Sequence, residues 1–232
     1  LLAEKYGRGQ VVATTRLSLE IPWVKEEDIE SFKIEARELG LKTGGTGKRV
    51  RPIVACKGSY CVFGLCDTHK IGGELVKEFF PNETPSKFKI GIAGCPNNCS
   101  KAQLNDIGIM GQSVPEFNVD NCIGCNACVK VCKIKALQVV DKKIVHNKDL
   151  CVNCGLCINA CKKQAIAEKE RGLAVYIGGK FGRQFRMGQK QDKLSTADTI
   201  TQDVKEILDY YKQTAHDGER FSTMLDRIEN DK

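Results

Sequence analysis

Histidine is scarce in this chain, with three in 232 residues, at positions 69, 146 and 216. A lone imidazole does chemistry only beside a positioned partner. His69, His146 and His216 share no spacing, so they read as surface or helix residues. No apolar run approaches the roughly 20 residues of a membrane span, so no membrane partner is expected. The glycine clusters Gly44-Gly-Thr-Gly and Gly178-Gly-Lys-Phe-Gly are too short and wrongly placed for a dinucleotide-binding loop. Aromatic residues make up only 6% of the chain. They do not interleave with the basic residues Lys48, Arg49, Arg51, Lys87, Lys89, Lys180, Arg183 and Arg186, so the net charge of +7 does not point to nucleic acid. Disulfide-scaffold spacing is also missing, which places the thiols in a reducing compartment.

Cysteine itself is abundant: there are 13, and all but one fall into three tetrads. Cys122-x2-Cys125-x2-Cys128-x3-Cys132 is followed 29 residues on by Cys151-x2-Cys154-x2-Cys157-x3-Cys161, and the flanks repeat, CIGCNACVKVCKIKAL against CVNCGLCINACKKQAI. This is the spacing of a two-cluster bacterial ferredoxin module, in which the fourth cysteine of each run ligates the other cluster. Cys122, Cys125, Cys128 and Cys161 are therefore expected to hold one [4Fe-4S] cluster, and Cys151, Cys154, Cys157 and Cys132 the second. Paired zinc sites are the alternative, but zinc tetrads do not usually come as overlapping four-cysteine runs. Lys133 and Lys162 stand where a proline usually follows the fourth cysteine, and these cations are expected to tune the clusters or mark a docking face. The third tetrad is split: Cys56-x4-Cys61, then an intervening 33 residues, then Cys95-x3-Cys99. Cys66 is left over and reads as a small buried hydrophobe.

The runs ACKGSYCVFG and AGCPNNCSKAQLNDIGIMG around the split tetrad resemble the sirohaem-dependent sulfite and nitrite reductase family, although many members have five residues between the first cysteine pair where this chain has four. GRGQVVATTRLSLEIP, TPSKFKIGIAGC and LAVYIGGKFGRQFRMG are similar to further family segments, so the resemblance covers nearly the whole chain. Within the family it is greatest to small anaerobic, dissimilatory-type subunits that carry a ferredoxin insert. It implies an α+β fold: a sirohaem/[4Fe-4S] domain, an N-terminal ferredoxin-like α/β half-domain and an inserted 2[4Fe-4S] ferredoxin domain. It implies sirohaem and three [4Fe-4S] clusters, with Cys99 bridging the third cluster to the haem iron. Thr15, Arg49, Asn97, Asn98, Cys99, Gly179, Lys180 and Arg183 are the implied cofactor-binding residues. Arg16, Arg51, Lys87 and Lys89 are the implied substrate cations, with Arg49 a rival to Arg51. The implied reaction is six-electron reduction of sulfite to sulfide. Nitrite reduction to ammonia at the same centre is an alternative, as is an electron-transfer subunit without sirohaem turnover. Electrons would come from a partner subunit or a soluble low-potential carrier. Larger family members hold two copies of this unit, so a homodimer with the substrate cations of one protomer facing the haem of its mate is expected.

Local pattern agrees with these assignments. In residues 11–21 the odd positions are Val11, Ala13, Thr15, Leu17, Leu19 and Ile21, and the even ones include Thr14, Arg16, Ser18 and Glu20, the alternation of one strand. Phe88, Ile90 and Ile92 alternate with Lys87 and Lys89, which predicts another strand with both lysines on its polar face. Because Lys89 lies six residues before Cys95, that face is expected to point toward a cluster loop. A helix is predicted around Ile29, Phe32, Ala36 and Leu39 with Gly40 as its C-cap, another from after Gly72-Gly73 through Leu75 to Phe79, and two more around residues 200–211 and 221–228. The boundaries drawn are 1–45 for the half-domain, 46–116 and 169–232 for the main domain, and 117–168 for the insert, the main domain resuming with a strand at Gly172. Anionic clusters and the sirohaem carboxylates would offset the basicity internally, and oxygen-sensitive clusters point to the cytoplasm. Leu1 in place of methionine leads us to expect further residues ahead of it.

Overall fold

The computed structural model describes residues 1–230. The chain opens with α1 (Leu2–Tyr6), β1 (Val12–Ala13), β2 (Leu19–Glu20) and α2 (Ile29–Glu38). The single strand expected over residues 11–21 is instead a hairpin, β1 antiparallel to β2. Turn chemistry overrides the alternation. Thr14 N–H donates to Ser18 O at 2.8 Å and Leu17 N–H to Thr14 O at 3.1 Å, Leu17 takes φ +56°, and the Thr14 hydroxyl accepts from Arg16 and Ser18 N–H. A hydroxyl that satisfies local backbone groups stabilises a turn, which carries Arg16 to the hairpin tip. Gly40 closes α2 as expected, with φ +74° and its N–H on Arg37 O.

The main body is a five-stranded sheet in the order β3-β4-β5-β8-β9, formed by β3 (Val54–Ala55), β4 (Ile90–Ala93), β5 (Ile107–Phe117), β8 (Ile166–Ile177) and β9 (Gln189–Ser195). The first three strands run parallel, and β8 and β9 add antiparallel. Between β3 and β4 lies α3 (Thr68–Phe79). It starts well before Gly72 because Asp67 caps it, accepting N–H bonds from His69 and Lys70. The two glycines are therefore helical, and at Gly72 an added Cβ would stand 3.4 Å from the Ala55 side chain, so the helix sits tight on the sheet. Two further helices, α6 (Ile200–Thr214) and α7 (Phe221–Asn230), follow β9.

Phe88, Ile90 and Ile92 are fully buried, as the alternation predicts, and Phe88 meets Tyr211 and Phe221 with centroids 5.3 and 5.5 Å apart. Each such burial is worth about 1.5–3 kcal/mol.

Paired over eleven residues, Ile107–Phe117 against Ile166–Ile177, β5 and β8 form a ribbon that projects from this core. The strand expected from Gly172 thus begins six residues earlier, because the ribbon continues into a second, smaller body. That body holds α4 (Ala127–Val131), the antiparallel pair β6 (Leu137–Val140) and β7 (Lys143–His146), and α5 (Leu156–Ala160). Its core is Leu137, Ile144 and Ile166 with the thiols of Cys128 and Cys157. His146 stacks on Phe117 at 4.4 Å. Among the described residues no helix is long and apolar enough to cross a membrane.

Candidate functional site

Parallel strands place their following loops at one end, the usual position of ligand sites in such sheets. Cys56 follows β3 and Cys95 follows β4 by one glycine, and Gly94 N–H donates to Cys56 Sγ at 3.1 Å. The two loops interlock: an added Cβ on Gly94 would lie 2.7 Å from Gly58 Cα, and one on Gly58 2.9 Å from Gly94 Cα. Glycine is the only residue that permits this approach. Burial pushes the Cys95 thiol up and the Asn97 N–H pulls it down, with Cys61, Cys56 and Cys99 near enough to raise it further. The fold thus brings the split tetrad together, with Cys99 its exposed member. Cys66 packs against the main core, and burial pushes its thiol up to about 11, in keeping with a thiol that stays protonated.

In the smaller body the thiols frame two cavities. One, about 360 Å³ counting the solvent at its mouth, has Cys122, Cys125, Cys128 and Cys161 in its lining. The other, about 350 Å³, is lined by Cys132, Cys151, Cys154 and Cys157. These are the two crossed sets that the repeat spacing predicts, and burial pushes Cys157 up to about 12, so a charged thiolate there calls for a cationic centre. Four convergent thiols in an otherwise apolar pocket fit an iron-sulfur cluster. No three His, Cys, Asp or Glu side chains among the described residues close on a single metal ion, as a mononuclear zinc site requires.

The two cavities are not equivalent. Residues around Asn153 lie on β5, with Ser113 N–H donating to Asn153 O at 2.8 Å and Asn153 Nδ2 to Gln112 Oε1 at 3.3 Å. Gly155, with φ +71°, leaves no room for a Cβ, which would meet Ser113 Oγ at 2.7 Å. Two residues back along β5, a Cβ on Gly111 would stand 3.1 Å from Cys66 Sγ. The second cavity therefore abuts the split-tetrad loops, and the first faces away. Lys133 belongs to the inward side, its ammonium 5.4 Å from the Phe63 ring centroid in the loop after Cys61. Lys162 is exposed beside the outer cavity.

The cations gather at the opposite end of the parallel strands. Arg16, from the hairpin tip, donates to Asn105 Oδ1 at 3.1 Å and to the carbonyls of Pro52 at 2.7 Å and Ile90 at 3.4 Å. Arg51 donates to Gly45 O at 2.9 Å. Lys89 is half-buried and Lys87 exposed. The Nε groups of Arg16, Arg49, Arg51 and Arg220 are buried without an acceptor. Burial first, then Arg16 and Arg220, hold the Lys89 ammonium below its ordinary value, while Asp106 opposes them. Burial likewise lowers Arg16, with Arg51 adding to it. Buried donors with no partner are uncommon, and a group of them among mutually repelling cations is suited to a polyoxygen or polycarboxylate anion. That donor set fits both a small oxyanion and the carboxylates of a sirohaem.

This placement corrects the expectation that the Lys89 face points to a cluster loop. Six residues of extended chain at about 3.3 Å each carry Cys95 roughly 20 Å from Lys89. Within one chain the cations and the split tetrad sit at opposite strand ends.

The other implied cofactor residues divide. Thr15 and Asn97 are exposed. Both ends of the Asn98 amide shape its own loop, donating to Gln103 and accepting from Ala102 N–H. Gly179 packs on backbone, where a Cβ would lie 2.3 Å from Asn105 O. Lys180 pairs with Arg186 through the backbone, and Arg183 is exposed in that turn. The contacts of Asn105, Asp106 and Arg220 beside these cations were not legible in the sequence: Arg220 binds Asp106 across 114 positions, and no local motif signals it.

Known families match along the chain. Residues 46–232 match the nitrite and sulphite reductase 4Fe-4S domain, and residues 1–39 the nitrite/sulfite reductase ferredoxin-like half domain. The chain belongs to the nitrite and sulfite reductase family. It is 39% identical over 98% of its length to a coenzyme F420-dependent sulfite reductase of Methanocaldococcus jannaschii, and spans 37% of that relative. To a subunit of the anaerobic sulfite reductase of Salmonella typhimurium it is 35% identical over 91% of its length, spanning 68% of the relative. Among solved structures, dissimilatory sulfite reductase I shares the fold, with a TM-score of 0.75 at 18% identity over 98% of this chain and 62% of the other.

Proposed function

We propose that the chain carries the catalytic unit of a sirohaem-dependent sulfite reductase. The observation that carries this reading is the set of arginines at the amino ends of the three parallel strands whose Nε–H groups are buried without a protein acceptor, in a family fold whose other strand ends converge four thiols. Sulfite is favoured over nitrite because the two sulfite reductase relatives named above are 35–39% identical. Reduction of hydrogensulfite takes up six electrons and six protons and yields hydrogensulfide and three waters. When bound, a sirohaem and a four-iron cluster, for which Cys56, Cys61, Cys95 and Cys99 offer the thiols, would pass the electrons to the substrate.

The residues of the chain do the rest. Arg16, Arg51, Lys87 and Lys89 bind the anion, orient its oxygens and stabilise negative charge. Lys89, held below its ordinary pKa, is suited to give up a proton to a departing oxygen. Cys122, Cys125, Cys128 and Cys161 hold the outer cluster, and Cys132, Cys151, Cys154 and Cys157 the inner one. The route runs inward from the first cavity to the second and on to the split tetrad. An electron-donor subunit or soluble carrier docks at the outer cavity.

Because the cations and the split tetrad lie at opposite strand ends of one chain, a complete centre requires a second copy whose cations face the Cys99 side. Mixing a Cys99→Ser protomer with a Lys87→Ala/Lys89→Ala protomer should restore turnover that neither has alone. No recovery despite proven exchange of protomers would rule this arrangement out. The reaction itself is tested by isobacteriochlorin absorption in the purified protein and by steady-state assays with a low-potential dye. Sulfite should be the better substrate. Faster turnover of nitrite would reassign the substrate, and a protein without the chromophore would be an electron-transfer subunit.

A further inference from the structure

Asp106 is wholly buried just ahead of β5. Its carboxylate accepts the Lys89 backbone N–H at 2.9 Å and Arg220 Nη2 at 3.0 and 3.2 Å. Arg220 is the residue before α7, far along the chain from every cation in the site. Its side chain is only 16% exposed, and its Nε is one of the buried donors without an acceptor. A structural ion pair would be expected to use its polar atoms on its partner. Arg220 is also close enough to Arg51 and Lys89 to lower both, after the larger effect of burial. One carboxylate cannot neutralise Arg16, Arg51, Lys89 and Arg220 together, so the locality keeps a net positive charge. Asp106 serves instead as a fixed post that holds the Lys89 backbone on one side and the Arg220 guanidinium on the other.

We propose that Arg220 is a fifth cation of the anion site, held in place by Asp106, so that the segment between α6 and α7 helps set affinity for the oxyanion. The inference rests on the reading of Arg16, Arg51, Lys87 and Lys89 as an anion site and adds a residue to it. The Arg220 Nε–H has no protein acceptor, and an oxygen of the bound anion supplies one. A charge-assisted hydrogen bond of this kind contributes roughly ten- to a hundredfold in affinity.

The test compares Arg220→Gln, Arg220→Lys and Lys87→Ala/Lys89→Ala in the intact purified protein. Calorimetric titration with sulfite and with inorganic phosphate reads binding directly, and KM and kcat for sulfite and the melting temperature are measured in parallel. Arg220→Gln should weaken binding of both anions about ten- to a hundredfold and raise KM. Arg220→Lys should recover most of the affinity, because it restores the charge. A merely structural pair would lower the melting temperature of Arg220→Gln and leave the dissociation constants of the folded protein unchanged. If the lysine variant loses anion binding and Arg220→Gln does not, the inference is overturned and the site stands. If neither loses it, the anion-site reading falls with it.

Discussion

Around the parallel strands, Val50, Ile71, Leu75, Phe88, Ile90, Ile92, Ile107 and Ile109 are each at most 1% exposed, and three helices close over them. In the body beyond the β5–β8 ribbon, Leu137, Ile144 and Ile166 join two thiols in a smaller core, with Phe117, Val129, Val139 and Ile158 partly buried against it, beside the two cysteine-lined pockets. The first region is packed around one continuous apolar cluster. The second is a fifty-residue piece with a small apolar cluster and two pockets lined by cysteine, and at that size a bound centre commonly supplements a hydrophobic core. With the clusters proposed above in place, one chain would use two sources of stability, joined by the ribbon.

Iron removal should separate the two regions most. Chelation under reducing conditions is expected to strip hydrogen-exchange protection from β6, β7, α4 and α5, while β4 and the start of β5 stay protected. Protection retained in both would mean that the small core is sufficient by itself. The converse perturbation is Phe88→Ala, which opens a hole beside Tyr211 and Phe221. It should cost about 3–5 kcal/mol, read as an earlier denaturant midpoint of the sheet region. The iron-sulfur absorption of the smaller body should outlast that transition, and simultaneous loss would show one cooperative unit.

Within the smaller body, Cys154→Ser and Cys125→Ser set the inner cavity against the outer. With a small dye as donor, Cys154→Ser should lower sulfite turnover by orders of magnitude and Cys125→Ser far less, since the dye can bypass an outer centre. Equal losses would remove the distinction drawn from the Ser113 and Asn153 contact.

The smallest effect concerns acid. The Arg227 guanidinium, bonded to Glu219 at 2.8 and 3.0 Å, holds the Glu219 carboxyl down to about 2 from 4.5. A depressed carboxylate contributes stability above its unfolded pKa and loses it as pH falls through the folded value. The melting-temperature gap between wild type and Glu219→Gln should thus be full above about pH 5 and close between pH 4.5 and 2. A gap independent of pH would assign the effect to packing. The iron-sulfur absorption should not follow it.

Spacing along the chain was enough to point to the two crossed sets of thiols that line the pockets of the insert, because three sulfurs within seven residues are brought to one place by the local chain. The alternation of Phe88, Ile90 and Ile92 likewise named a buried face, and the periodicity of residues 200–211 and 221–228 named two packed helices. The hairpin at Arg16 was not legible, since side-chain bonds from the Thr14 hydroxyl outweigh an alternating pattern when no neighbouring strand is present. Nor was the start of α3, where one capping carboxylate on Asp67 outweighs two glycines.

What the sequence determined by itself is therefore local: which residues carry sulfur or charge, at what spacing, and which faces are apolar. Tertiary structure alone decided which end of a strand each group occupies. Parallel pairing sends the amino ends of β3, β4 and β5, with Arg51, Lys89 and Asp106, to one end of the sheet and the carboxyl ends of β3 and β4, with Cys56 and Cys95, to the other. It also brought Arg220 to Asp106 across 114 positions. Contacts at such separation follow from the packing of α7 against the sheet, and no repeat or spacing encodes them.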